Sequence, residues 1–339
     1  MRDAVLAYLR GRPGDPEALA IALFHAQRAA SPLIAAMTMR SDGASPDPQG
    51  WEDIPAIPVS LYKRLSLRSF SGTPGCCFLT SGTTGSERGV HELLDAAVYD
   101  ASSWHHFTEV CGGVPGPVRS LCPPPGGDSS LGHMIGHFAA ASGHPLDQLF
   151  DAAFGIAGAA FERMEGPMFL PATAFSLDAV LDPGRRAARS ELGPESLVMV
   201  TGGFKGRRVR LDSEAVYRAI APRFGAPRVV GEYGMTELCS QLWTDPVPAG
   251  AVPGWFRAPV WMHVYTVDPI SGAPSPAGGL LRFVDLANTD SVVAIETMDL
   301  GRVERSVDGD RVWLDGRAEG AELRGCSLRA EDLLVAKNP

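Results

Sequence analysis

Apolar residues along this chain cluster in short blocks bounded by glycine, proline, serine or aspartate. Residues 76–79, 90–94, 118–122, 197–201 and 228–230 are such blocks, and each predicts a short strand, that at 76–79 a buried one. Stretches of helical composition lie between them. Asp95 suits the N-cap of a helix over 96–107. Residues 129–142 predict a second helix, and Asp212 or Ser213 can cap a third that runs to about Phe224. Strand, turn and helix thus recur, which predicts an α/β sheet with ligands at the strand ends.

The two ends of the chain differ from this middle. Residues 16–39 are rich in Ala and Leu and predict helix, with Gln27-Arg28 as a polar break. Residues 41–53 carry Gly, Pro and Asp and read as a loop, and 54–59 hold too much proline for a central strand. A short helix over 60–67, capped by Ser60, is expected next. Beyond about Pro259 the texture turns to strand: 260–267, 279–286, 292–296 and 312–314, with turns at Asp268-Pro269 and Asp308-Gly309. The expected organisation is an α/β core with a helical N-terminus over 1–258. A β-rich, barrel-like subdomain follows over 259–339 as part of one compact unit.

The most informative run is Phe78-Leu79-Thr80-Ser81-Gly82-Thr83-Thr84-Gly85-Ser86-Glu87-Arg88-Gly89. Glycine lets the backbone turn where a side chain would clash, and it exposes N–H groups to an anion. Ser81, Thr83 and Thr84 add hydroxyl donors, and Arg88 adds a fixed charge able to grip phosphate. The run is not a Gly-x-x-x-x-Gly-Lys-Ser/Thr loop, because the glycine spacing differs and no lysine follows. Taken alone it has two readings, a polyphosphate cradle or an ordinary Ser/Thr/Gly surface turn.

Composition narrows the classes. The 339 residues are 45% apolar and 20% charged, which is globular and enough for a substantial core. A net charge of −9 with a pI near 5.4 argues against a general nucleic-acid binder. Residues 18–24 are apolar but are cut short of a bilayer span by His25, Gln27 and Arg28. With no secretory pattern at the N-terminus, a cytoplasmic protein without membrane contact is expected. The six cysteines form no Cys-x-x-Cys pair and read as reduced thiols, with Cys76 and Cys77 in a buried strand. His133 and His137 share a helix face but lack an acidic partner, so packing outranks metal there.

Further motifs follow the glycine-rich run in a fixed order: Tyr233-Gly234-Met235-Thr236-Glu237, Thr297-Met298-Asp299-Leu300-Gly301 and Asp315-Gly316-Arg317. Any one is weak. Together they resemble the adenylate-forming superfamily of acyl-CoA ligases, peptide-synthetase adenylation domains and luciferases. Ile57-Pro58-Val59-Ser60-Leu61-Tyr62-Lys63, Thr201-Gly202-Gly203-Phe204-Lys205-Gly206 and Glu322-Leu323-Arg324-Gly325-Cys326-Ser327-Leu328 resemble a smaller group within it. These are the acyl-protein synthetases of bacterial luminescence fatty-acid reductase complexes.

The resemblance implies an N-terminal-type adenylate-forming domain that binds ATP and Mg2+ and activates a small-molecule carboxylic acid. In that reading Ser81, Gly82, Thr83, Thr84 and Gly85 hold the β- and γ-phosphates. Gly202 and Gly203 lie beside the adenine, and Tyr233 stacks on it. Thr236 contacts the α-phosphate, Glu237 ligates magnesium, and Asp299 and Arg317 bind the ribose hydroxyls. Arg88 stands where the family usually carries lysine, which keeps the charge and changes its geometry. The chain ends 22 residues beyond Arg317, so the usual C-terminal lid domain with its adenylation lysine is expected to be absent.

The implied chemistry is attack of a carboxylate on the α-phosphate, giving an acyl adenylate and pyrophosphate. Positioning and charge neutralisation dominate such a step. The acyl group then passes to a thiol: Cys326, a carrier protein or coenzyme A. A reductase or another acyl-acceptor protein is the implied partner. Arg324 beside Cys326 favours the thiolate, although a small buried residue is the plainer reading of that cysteine. An amide- or ester-forming synthetase and a non-catalytic nucleotide-binding scaffold are the two rival readings. Met134, Phe138, Met235 and Leu238 are candidates to line the acid pocket, which favours a fatty or aryl acid. Trp104, His105 and His106 read more readily as structure than as pocket lining.

Overall fold

The computed structural model describes residues 1–40, 42–80, 88–151, 155–182, 188–202 and 213–318. The chain forms two compact units whose segments alternate along the sequence. The first takes Met1–Ser102, Met235–Ser240 and Arg257–Pro339, and the second takes Ser103–Gly234 and Gln241–Phe256.

The second unit is a doubly wound α/β sheet. Its strands lie in the order Leu146–Gln148, Val118–Ser120, Phe169–Thr173, Leu197–Thr201, Arg228–Tyr233. All four pairings are parallel. Leu242–Trp243 and Val247–Pro248 then pair antiparallel with Arg228–Tyr233. Leu197–Thr201 is buried at every position, as expected where helices cover both faces of a parallel strand. On one face Leu170, Val198 and Val200 pack with Leu177 and Val180 of the helix Ala174–Val180 and with Val216, Ile220 and Phe224. On the other, Phe169 meets Phe107 at 5.4 Å between ring centroids, and Phe107 stacks on Phe138 at 4.5 Å. Phe138 belongs to the helix Ser130–Ser142, which Ser129 caps at Gly132 N and Gly143 ends in the left-handed region at φ +71°.

The first unit carries an antiparallel ladder of Met262–Val267, Gly279–Asp285, Ala294–Glu304 and Arg311–Arg317. Among the described residues it is an open meander with Ile57–Pro58 added in parallel to Ala294–Glu304, where barrel-like closure is expected from the sequence. Two proline residues organise the N-terminus. Asp15 caps the helix Pro16–Ala30, and Ser31 caps the helix Pro32–Met37. The expected break at Gln27 therefore moves to Ser31-Pro32. Gln27 is instead buried: its Nε2 donates to Asn288 O at 2.7 Å, and its Oε1 accepts from Val293 N at 2.9 Å. Ser60 caps nothing, because Val59–Lys63 is a single tight turn that begins after Pro58.

The strand Cys76–Leu79 corrects another expectation. Among the described residues it pairs with Val90–Leu93 alone, so one edge stays unpaired. Phe78 is buried against Tyr99 at 5.2 Å, whereas Cys77 is exposed and Cys76 half-buried. All five described cysteines are free thiols. No helix among the described residues is long and apolar enough to cross a membrane.

Candidate active site

In the first unit, the glycine-rich run leaves and re-enters a closed neck. Thr80 N donates to Gly89 O at 2.9 Å, and Gly89 N returns a bond to Thr80 Oγ1 at 2.8 Å. Arg88 reaches back along the neck, with Nε to Thr80 O at 2.6 Å and Nη2 to Leu79 O at 3.2 Å. A Cβ on Gly89 would stand 3.0 Å from Thr80 Cγ2 and 3.3 Å from Tyr62 Cβ, so a larger residue would press on both side chains. Ser81, Gly82, Thr83, Thr84 and Gly85 lie outside the described residues, as do Gly203 and Cys326.

Thr236 and Glu237 form a turn that side chains from elsewhere in the first unit hold by its backbone. His91, on the return strand of the neck, places Nδ1 2.7 Å from Thr236 O. Asn288 Nδ2 donates to Glu237 O at 3.0 Å. Asp285 accepts from Cys239 N at 3.0 Å, Ser240 N at 2.9 Å and Ser240 Oγ at 2.7 Å. Ser240 Oγ also meets Trp261 Nε1 at 3.0 Å, and Ser102 Oγ lies 2.8 Å away. Thr236 and Glu237 themselves are half-buried, so the segment is anchored by its backbone with both side chains partly accessible.

Asp299 and Arg317 face each other directly across the last strand pair. Their side chains approach to 3.7 Å, Nε to Oδ1, with the Arg317 side chain about half exposed. Two residues chosen for one role from separate motifs are therefore neighbours. A cation and a carboxylate side by side on a strand offer both a donor and an acceptor, as a ribose diol requires.

In the second unit, Thr201 ends one parallel strand and Glu232 stands opposite it on the next. Gly202 follows Thr201 at φ +74°, where a side chain is disfavoured. Tyr233 follows Glu232, with its ring 6.1 Å from Phe256. Glu232 is fully within the sheet and accepts from the Thr201 hydroxyl. Burial pushes its pKa up to about 7, against a smaller downward pull from that hydroxyl. Asp285, in the first unit, is raised to about 6, again by burial first and against the pull of its Ser240, Ala287 and Cys239 donors.

These raised values fix the sign of a pH effect. A carboxyl protonated in the fold and ionised in the unfolded chain favours folding at low pH. That contribution is present below about pH 4.5 and is lost as pH rises through about 7 for Glu232. Replacing Glu232 with Gln is expected to flatten the profile. Urea unfolding at pH 5 and pH 8 should show a fall smaller than wild type by about 3 kcal/mol. An unchanged profile would place the titration elsewhere.

His91, Glu232, Asp285 and Asn288 were not selected from sequence. Glu232 carries the clearest signal, a carboxylate inside the apolar block Val229-Val230-Gly231-Glu232-Tyr233. Asp285 likewise ends the apolar run Phe283-Val284. His91 gave none beyond its place two residues after Gly89. Trp104 packs on Phe107 and Phe138, at 6.3 and 5.5 Å, and edge-on to His137 at 6.3 Å.

No group of three or more His, Cys, Asp or Glu side chains among the described residues is placed to hold a metal. Magnesium gripped with a nucleotide needs no such cluster, since one carboxylate and phosphate oxygens suffice. The half-buried carboxylate of Glu237 on an anchored turn fits that donor set.

A parallel sheet with helices packed on both faces defines an α/β protein. Among solved structures, the chain is similar to ATP-bound MatB from Rhodopseudomonas palustris, at 18% identity and a TM-score of 0.46. That match covers 73% of this chain and 49% of the other. It is also similar to the O-succinylbenzoate coenzyme A synthetase of Bacillus subtilis in complex with AMP. There the identity is 15% and the TM-score 0.46, over 71% of this chain and 49% of the other. A third is the anthranilate CoA ligase AuaEII with anthranoyl-AMP, at 16% identity and a TM-score of 0.48, over 71% and 46%. The chain spans about half the length of these structures. No protein-family model and no curated sequence matches it.

Proposed function

We propose that the protein activates a fatty or aryl carboxylic acid with ATP, forming an acyl adenylate and pyrophosphate, and passes the acyl group to a thiol with release of AMP. The observation that carries this reading is the bond from His91 to Thr236 O. It ties the strand leaving the glycine-rich run to the turn that holds Thr236 and Glu237. Two motifs separated by about 150 residues of sequence are thereby joined within one unit. The facing pair of Asp299 and Arg317 adds a third.

The roles divide by chemistry. Ser81, Gly82, Thr83, Thr84 and Gly85 supply donors for the β- and γ-phosphates, and Arg88 bonds the neck at Leu79 and Thr80. Gly202, Gly203 and Tyr233 take the adenine, and Asp299 with Arg317 takes the ribose. Thr236 donates to the α-phosphate, where charge builds as the carboxylate attacks. Magnesium, when bound, neutralises phosphate charge, and Glu237 orients it. The acceptor is a thiol of Cys326, of a carrier protein or of coenzyme A.

ATP–pyrophosphate exchange across a panel of fatty, aryl and amino acids tests the first step. Acid-dependent exchange with a fatty or aryl acid is expected; ATP binding without exchange for any acid would favour a scaffold. With a labelled acid that supports exchange, protein-bound label is expected on the wild type and absent on Cys326→Ala. Equal label on both would remove Cys326 as acceptor.

A further inference from the structure

The Thr236–Glu237 segment has three sets of side-chain anchors, and they are not equivalent. Asn288 and Asp285 belong to the strand Gly279–Asp285 and the loop after it. His91 alone belongs to the strand Val90–Leu93, which continues directly from the glycine-rich run. We infer that His91 is a positioning residue, which couples the neck at Thr80 and Gly89 to the placing of Thr236 and Glu237 for a nucleotide. The inference rests on the ATP reading above.

The geometry defines a single form of the imidazole. A carbonyl oxygen only accepts, so the proton must sit on Nδ1, 2.7 Å from Thr236 O. His91 is fully buried, and its Nε2 has no hydrogen-bond partner among the described residues. A second proton there would be a buried donor with nothing to meet, so the ring stays neutral. Burial accordingly pushes its pKa down to about 4, against the opposing pull of the Thr236 bond. Tyr62 packs edge-on at 5.6 Å between ring centroids and fixes the ring plane. The same Tyr62 crowds Gly89, so neck, imidazole and turn are packed in series. A shift of the return strand therefore cannot leave the Thr236 carbonyl in place without breaking a buried hydrogen bond.

Asparagine carries a donor near the position of Nδ1, and glutamine carries one nearer Nε2. His91→Asn and His91→Gln therefore separate the bond from mere filling of space. Calorimetric titration of the full chain with ATP and magnesium chloride is the readout. Binding by His91→Asn is expected within about threefold of wild type, and by His91→Gln about tenfold weaker. Equal binding by both variants, or equal loss in both with unchanged melting, overturns the inference. A second readout needs no variant to fold. Nitrogen-15 spectra of histidine-labelled wild type should show the Nδ1-protonated tautomer at His91, with its resonance moving on addition of ATP and magnesium. An Nε2-protonated ring, or a resonance that ignores bound nucleotide, refutes the coupling. Failure of the wild type to bind ATP at all would instead defeat the ATP reading, while the tautomer still decides the His91 bond.

Discussion

Asp285→Ala is expected to destabilise the chain by about 4 kcal/mol, measured as a fall in urea midpoint at pH 7. The carboxylate accepts from Cys239 N, Ser240 N, Ser240 Oγ and Ala287 N, and all of these lie in the interior. Removing it leaves three buried backbone N–H groups without an acceptor, at roughly 1–3 kcal/mol each. Part of that loss is offset, because the buried carboxyl is raised to about 6 and is ionised against its preference at neutral pH. The offset is why the expected loss sits near the low end of the roughly 3–9 kcal/mol that three such groups give. Backbone amides of residues 235–240 should also exchange with solvent sooner than the rest of the first unit. A loss below about 1 kcal/mol would mean that other groups satisfy these amides once Asp285 is gone.

Glu237→Gln is expected to abolish most catalysis while leaving the fold alone. Acid-dependent ATP–pyrophosphate exchange should fall by about 100-fold to 1000-fold. Glutamine keeps the size and the backbone bond from Asn288, so the turn stays in place. Only the charge that would hold magnesium is removed. The urea midpoint should fall far less, in proportion, than the exchange activity does. Nucleotide binding should lose its dependence on magnesium in a titration of the metal. Exchange at the wild-type rate would remove Glu237 from the metal site.

Much of the fold could be read from periodicity. Leu197–Thr201 is wholly apolar up to Thr201 and lies in the centre of the parallel sheet. Helix starts at Ser129 and Asp15 are capped as their side chains require, each accepting from a backbone N–H of the first turn. Arg228–Tyr233 runs three residues past its expected end, because Glu232 enters the sheet beside the Thr201 hydroxyl. The strand Phe169–Thr173 left no readable signal, since Pro171 sits in its middle. Leu121 N bonds to Pro171 O at 2.8 Å, so the missing proline N–H falls on that same side. There the pairing is confined to Phe169 with Val118 and a single bridge from Leu121 to Ala172, and little is lost.

Of the candidate site, the residues named by motif were legible and the residues that hold them were not. Asp299 and Arg317 were placed by motif and prove to be cross-strand neighbours. His91, Asn288 and Asp285 act on backbone atoms of other segments, and a backbone partner leaves no trace in residue type. Gln27 misled for the same reason. Its polarity suggested a break in the helix, whereas its amide is matched to two loop backbones far along the chain.

That match also orders events during synthesis. Gln27 bonds to residues 261 and 266 positions later, so its amide cannot be fully matched until Val293 has left the ribosome. The run Ser103–Gly234 emerges long before then. The helix Pro16–Ala30 thus takes its caps from adjacent residues, while its Gln27 amide waits for a stretch made much later.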